Sequence, residues 1–195
     1  MNNSLVDLFC HIDDFCNDFE PQWHQRMLGS NLKQRLRRRC LCVSEIMTIL
    51  VIFHQNHYRN FKHFYQDYVC QHLCQEFPTL PSYSRFVEFI PSVTLPLCAY
   101  LKHCFGQCTG IGFIDSTCLH ACHNRRINQH KVFKDLAARG KTSVDWFYGF
   151  KLHLVVNDRG ELLNIKITAG NVDDRKPVVD LLKELFGKVF GDRGY

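Results

Sequence analysis

Apolar residues in the first hundred positions recur at the spacing of α-helices. Three groups repeat every three or four positions: Leu5 to Phe19, Ile46 to Phe53 and Phe61 to Tyr68. Ser44 is placed to cap the second helix, because a serine hydroxyl accepts a hydrogen bond from a free N–H of the first helical turn. The pattern therefore predicts a helical region over residues 1–105.

Two prolines, Pro78 and Pro81, end the third of these helices. Ser82 or Ser84 can cap a short helix that holds Phe86 and Phe89, and Pro91 and Pro96 predict a break before a last helix, Leu97–Cys104. A helix, a turn and a second short helix form the outline of a DNA-reading helix-turn-helix. The same outline occurs in any helical bundle, so both interpretations stay open.

Strand signals replace helical spacing near residue 106. A glycine-rich apolar run ends at Asp115, two longer apolar and β-branched runs flank a Gly-containing turn and predict a hairpin, and a last short run ends at Asp192. A helix connects the hairpin to the last strand. Asp173 or Asp174 caps it, Pro177 falls in its first turn and Gly187 ends it, and its apolar face consists of Val178, Leu181, Leu182, Leu185 and Phe186. The sequence predicts an α+β protein with a second domain over 106–195.

Asp115 and Asp192 are the candidate catalytic residues. A helical crossover lets the last strand lie parallel to the first, which would bring the two carboxylates to neighbouring strands. Carboxylate oxygens suit Mg²⁺ or Mn²⁺, and such ions activate phosphodiester chemistry. The alternative is that Asp115 is a turn or cap carboxylate and Asp192 a loop residue.

Four segments from Phe113 to Tyr195 resemble the DDE transposases of bacterial insertion sequences. They are Phe113-Ile114-Asp115-Ser116-Thr117, Tyr148-Gly149-Phe150-Lys151-Leu152-His153, Ala169-Gly170-Asn171-Val172-Asp173-Asp174 and Gly191-Asp192-Arg193-Gly194-Tyr195. Residues 1–105, including Pro81 to Glu88, resemble the helical N-terminal region of one subgroup. The resemblance implies a ribonuclease H-like catalytic domain that cleaves and joins DNA strands, with Asp115 and Asp192 as the first two acidic metal ligands.

The third acidic ligand of that family has no counterpart here, because Glu161 and Glu184 precede Asp192 and lie in the wrong elements. The resemblance therefore implies an incomplete sheet of four strands and a C-terminally truncated transposase that is inactive as it stands. The alternative is a non-catalytic DNA-binding remnant. DNA is the implied partner in either case, and the family allows a homo-oligomer.

Positive charge is clustered at Lys33 to Arg39 and at His123 to Lys141, in a chain of net charge +5. Clustered cations suit a phosphate backbone, and the second cluster falls between the first two strands, beside the proposed metal site. The predicted DNA-binding residues are Arg125, Arg126, Lys131, Lys134, Lys141 and, in the next strand, Lys151. The alternative is a solvated basic loop.

The 11 cysteines, without a signal peptide or an apolar run long enough to span a membrane, predict reduced and mostly buried thiols in a cytoplasmic protein. A zinc cluster on Cys118, His120 and Cys122 is an open alternative. An aspartyl phosphatase would need a second aspartate where Thr117 stands, and no cysteine is marked as an activated nucleophile.

Overall fold

The computed structural model describes residues 4–29, 39–142 and 145–192. The chain divides into two compact units, Met1–His103 and Cys104–Tyr195. No helix among these residues is long and apolar enough to cross a lipid bilayer.

The first unit is helical, as the apolar spacing predicts. Its elements are α1 (Leu5–Gly29), α2 (Val43–Gln55), α3 (Phe61–His63), a π-helical segment (Phe64–Val69), α4 (Cys70–His72) and α5 (Tyr83–His103). The core of this unit includes fully buried Ile12, Ile49, Phe64 and Phe86. Burial of one apolar face of each helix holds the unit together.

Two details of this unit differ from the prediction. Cys42 rather than Ser44 caps α2, and Ser44 instead donates a hydrogen bond to Asp13 Oδ1 at 2.5 Å. Helix α5 continues for 21 residues through Pro91 and Pro96, so the predicted short helix and the break after it are wrong. Phe86, Phe89, Val93 and Pro96 form one buried stripe along α5, and their packing offsets the backbone hydrogen bonds that the prolines remove.

The second unit is a five-stranded mixed sheet, so the α+β prediction is confirmed. Its strands are β1 (Ile111–Cys122), β2 (Ala138–Lys141), β3 (Trp146–Asn157), β4 (Leu162–Ala169) and β5 (Lys188–Gly191), with α6 (Val178–Leu182) between β4 and β5. Strand β3 pairs antiparallel with β1, β2 and β4, which confirms the predicted hairpin. Strand β5 lies parallel to β1, as the crossover predicts.

Three features of this second unit differ from the prediction. Strand β1 continues for 12 residues and passes through Asp115 instead of ending there. The sheet has five strands rather than four, because Ala138–Lys141 of the basic stretch forms β2. Helix α6 has five residues and starts after Pro177 without a side-chain cap, since Asp173 accepts a hydrogen bond from the Arg175 N–H in the preceding turn.

The sheet has two unlike faces. Ile114 of β1 and Val155 of β3 are buried and pack with Leu181 of α6, and the other even-numbered residues of β1 and odd-numbered residues of β3 point to the same side where the register is regular. We call this the α6 face. Odd-numbered residues at the start of β1, including Phe113, are exposed on the opposite side, which we call the open face. Any side chain of β1 or β3 can therefore be assigned to a face from its register.

Candidate functional site

Asp115 lies on β1, and Asp192 comes directly after the end of the neighbouring strand β5. Strands β1 and β5 pair in parallel, with Phe113 opposite Phe190 and Ile114 opposite Gly191. Asp115 is the next residue after Ile114, and Asp192 is the next residue after Gly191. The rings of Phe113 and Phe190 stack with centroids 5.9 Å apart, and side chains two positions further on return to the same face. Asp115 therefore belongs to the open face. Asp192 follows the last residue of β5, whose distance from β1 is roughly 4.8 Å, and the alternation along β5 predicts the open face for Asp192 as well.

Asp115 is exposed, and its Oδ1 accepts a hydrogen bond from the neighbouring Ser116 N–H at 2.7 Å. Asp192 is also exposed. Two exposed carboxylates side by side offer the hard oxygen ligands that Mg²⁺ and Mn²⁺ prefer. Within residues 4–29, 39–142 and 145–192, no three His, Cys, Asp or Glu side chains are grouped to hold a metal ion. The donor set thus fits a cation held by two protein ligands.

The basic stretch between β1 and β2 covers part of the same open face. It starts with a 3₁₀-helix, Asn124–Gln129, and Phe133 packs edge-on against Phe150 of β3 with centroids 5.3 Å apart. Tyr148 of β3 donates a hydrogen bond to the Phe133 carbonyl at 3.5 Å. Phe150 pairs with Leu119 and lies on the same strand face as Leu154, the partner of Asp115. We call residues 123–137 the basic insertion.

Four of the predicted DNA-binding residues lie on the basic insertion, and all four are exposed: Arg125, Arg126, Lys131 and Lys134. Lys141 is exposed at the end of β2, where its Nζ lies 5.8 Å from the centre of the Trp146 ring. Register assigns Lys141 to the open face as well, because it pairs with Trp146 of β3. Asp115 and Lys141 thus lie on the open face, and the other four cations lie on the insertion that packs against this face through Phe133.

Residues 105–195 match the family model of the transposase DDE domain. The C-terminal unit is a transposase DDE domain. The match supports transposase function in general, with DNA as the partner. The family generally uses divalent metal ions. No curated protein and no solved structure matches the chain.

Lys151 of the DDE domain has a different environment from the other predicted DNA-binding residues. It lies on the α6 face, where its Nζ is 3.1 Å from Asp174 Oδ1 and donates a hydrogen bond to the Val172 carbonyl at 3.0 Å. Its side chain is 13% exposed. The charge of Lys151 is therefore balanced within the chain, and the residue fixes the loop before α6 to the sheet.

His153 extends this polar cluster into the interior of the domain. The ring is fully buried; its Nε2 lies 2.9 Å from Thr168 Oγ1, and its Nδ1 lies 3.9 Å from Asp174 Oδ1. Burial lowers the pKa of His153, the Asp174 charge opposes that shift, and Lys151 and Lys166 add to it. Sequence reasoning missed this cluster, although Lys151, His153 and Asp174 all fall inside the segments that carry the family resemblance.

Acidification is expected to destabilise the DDE domain through His153. The native state holds the ring neutral, whereas the unfolded chain takes up a proton near pH 6.5, so this stability is present above about pH 6.5 and is lost as the pH falls towards the depressed pKa. His153→Gln should flatten the dependence of unfolding free energy on pH in that window. Urea unfolding at several pH values measures it, with exposed His120→Gln as the control. If the unfolding free energy of His153→Gln depends on pH as steeply as that of the wild type, His153 is not the source of the pH dependence.

The pairing of β1 with β3 excludes a zinc site that uses both Cys118 and Cys122. Cys118 pairs with Lys151 on the α6 face, whereas a bulge between His120 and Cys122 brings Cys122 opposite Tyr148 on the open face. The two thiols therefore belong to opposite sides of the sheet. Burial also raises the pKa of the Cys118 thiol, which disfavours the thiolate that zinc needs.

All 11 cysteines lie in the described part of the chain. Cys16 is buried, three are half-buried and seven are exposed, so the prediction of mostly buried thiols is wrong. The exposed ones include Cys40, Cys70 and Cys74, which lie on the polar side of helices or in connections. Apolar spacing could not reveal this, because cysteine counts as apolar in such a pattern.

Proposed function

We propose that the DDE domain binds DNA across the open face and that Asp115 and Asp192 hold a divalent cation, Mg²⁺ or Mn²⁺, against a phosphate in the cleavage and strand-transfer steps of insertion-sequence transposition. The observation that supports this proposal is the parallel register of β1 and β5, which makes the two aspartates neighbours on the face covered by the basic insertion. A cation bound there would polarise the phosphate and lower the pKa of an attacking water.

The residues of the chain then divide into two roles. Asp115 and Asp192 act as metal ligands and, through the metal, as catalytic residues. Arg125, Arg126, Lys131, Lys134 and Lys141 neutralise phosphates along the bound DNA and set the path of the backbone. For Lys151 we propose a supporting role, because its ion pair with Asp174 leaves it on the α6 face.

Two carboxylates are a sparse ligand set for this chemistry. Two-metal phosphoryl transfer needs each ion fixed in position, and a displacement of about 1 Å can cost on the order of 10²-fold in rate. We therefore propose that the described residues bind metal weakly and do not by themselves support transposition. A non-catalytic DNA-binding role is the second candidate function, supported by the exposed cations of the basic insertion, which can hold a phosphate backbone without a metal ion.

Neutralising the basic insertion tests whether DNA lies on the open face. Replacing Lys131 and Lys134 by glutamine should weaken DNA binding and reduce the salt dependence of log K by about 0.9 for each phosphate that the protein no longer neutralises, hence about 1.8 for the pair. Fluorescence anisotropy of labelled duplex DNA across a salt series measures both quantities.

Lys176 and Lys183 provide the matched control. Both are exposed, and they lie before and after α6 on the other side of the sheet. Their replacement by glutamine removes the same charge from the chain, so any effect of net charge alone would appear equally in both variants. Equal loss of affinity in the two double variants would contradict a DNA path across the open face.

A further inference from the structure

The hairpin of β2 and β3 carries an aromatic ring with two cations close to it. Lys141 pairs with Trp146 and Arg139 with Tyr148, so Arg139, Lys141 and Trp146 all belong to the open face. The guanidinium carbon of Arg139 lies 5.2 Å and the Lys141 Nζ 5.8 Å from the centre of the Trp146 ring. Both distances are within the range of cation–π attraction, so the three side chains form one cation–π cluster.

No carboxylate among the described residues forms a salt bridge with this cation–π cluster. Among the described residues, neither Arg139 nor Lys141 takes part in a salt bridge. The adjacent carboxylate of Asp145 instead accepts a hydrogen bond from the Trp146 N–H at 2.6 Å. Arg139 and Lys141 therefore remain able to exchange the ring for an anionic ligand.

The Trp146 side chain is presented to solvent on a fixed backbone. It is 46% exposed and lies outside the buried cluster of this domain. Asn124 of the basic insertion donates a hydrogen bond to the Trp146 carbonyl at 2.6 Å, which anchors the strand beneath the ring. A half-exposed indole contributes little to a core, whereas an exposed aromatic surface beside cations matches the way proteins hold unstacked nucleic-acid bases.

We propose that Trp146, Arg139 and Lys141 form a binding site for an unpaired DNA base. The indole ring stacks on the base, and the two cations contact the phosphates on either side of it. This inference rests on the proposed function, in that DNA is taken to lie on the open face. Trp146 is eight positions along β3 from Leu154, the partner of Asp115, which corresponds to roughly 26 Å at about 3.3 Å per residue. The site therefore holds DNA at a distance from the reacting phosphate and positions it, without taking part in the chemistry.

The test compares two duplexes of the same sequence, one fully paired and one with a single unpaired base. In the full-length chain, Trp146→Ala should reduce affinity for the duplex with the unpaired base about 10-fold or more and leave affinity for the paired duplex nearly unchanged. Trp146→Phe keeps an aromatic face and should retain most of that preference. Val179→Ala removes another exposed apolar side chain, from α6 on the other side of the sheet, and is the matched control.

Fluorescence gives a second readout that does not depend on a variant at the site. The chain has two tryptophans, so Trp23→Phe leaves Trp146 as the single indole. Stacking predicts that the unpaired-base duplex quenches this emission more strongly than the paired duplex does. Equal quenching by both duplexes, or equal loss of affinity for both in Trp146→Ala, would overturn the base site while leaving DNA binding intact. Failure of the wild-type chain to bind either duplex at low salt would overturn the proposed function itself.

Discussion

Gly149→Ala is expected to destabilise the DDE domain by about 3 kcal/mol. A Cβ atom on Gly149 would lie 1.9 Å from the Leu119 carbonyl oxygen and 2.9 Å from the Ala121 nitrogen. Both atoms belong to the backbone of β1 at its bulge, so no side-chain rotation relieves the clash and the two strands must separate. The change also disturbs the strand pairing that carries Asp115.

Gly112→Ala is the control for this substitution. It adds the same methyl group to β1, but the nearest atoms to its Cβ are Val189 Cγ2 at 3.4 Å and Val155 Cγ1 at 3.6 Å, which are ordinary contacts. Urea unfolding followed through Trp146 emission, in chains that carry Trp23→Phe, reports on this domain. Similar midpoints for the two alanine variants would show that β1 and β3 are not paired as described.

Much of the fold can be predicted from the sequence, because apolar spacing alone distinguishes the helical region from the strands. The position of Asp115 within β1 could not be predicted in the same way. Beyond Asp115 the strand pairs with β3 and its pairing with β5 has ended, and polar and apolar residues do not alternate regularly from Ser116 to Cys122. A strand segment with little apolar alternation has the sequence of a loop, and its partner β3 is what keeps it extended.

The polar cluster behind the sheet depends on contacts that no local pattern contains. Lys151 and His153 meet Asp174 because β3 presents its odd-numbered residues to the loop before α6. On sequence alone, Lys151 groups with the DNA-binding cations, because a sequence shows the charge of a residue but not the face of the sheet on which it lies. Once register assigns the faces, the same alternation separates Lys151 from Lys141 and brings Trp146 into the candidate DNA surface.

Removing one carboxylate is expected to tighten DNA binding in the absence of a divalent cation and to weaken the response of DNA binding to that cation. Without the cation, Asp115 and Asp192 repel the phosphates, so Asp115→Asn should bind DNA more tightly than the wild type. A unit charge about 4 Å from a phosphate in water corresponds to about 1 kcal/mol, which is about fivefold in affinity. With Mn²⁺, the carboxylate pair becomes a bridge to the phosphate, so the wild type should gain affinity and the variant should gain little.

The most direct measurement is therefore DNA affinity with and without Mn²⁺ at constant ionic strength, for the wild type, Asp115→Asn, Asp192→Asn and Glu184→Gln. Glu184 is an exposed carboxylate beyond α6 and controls for the loss of negative charge elsewhere. We predict that Mn²⁺ strengthens binding by the wild type and by Glu184→Gln, and that both aspartate variants bind more tightly than the wild type without Mn²⁺ and respond weakly to it. An equal response to Mn²⁺ in all four proteins would contradict a shared metal site at Asp115 and Asp192.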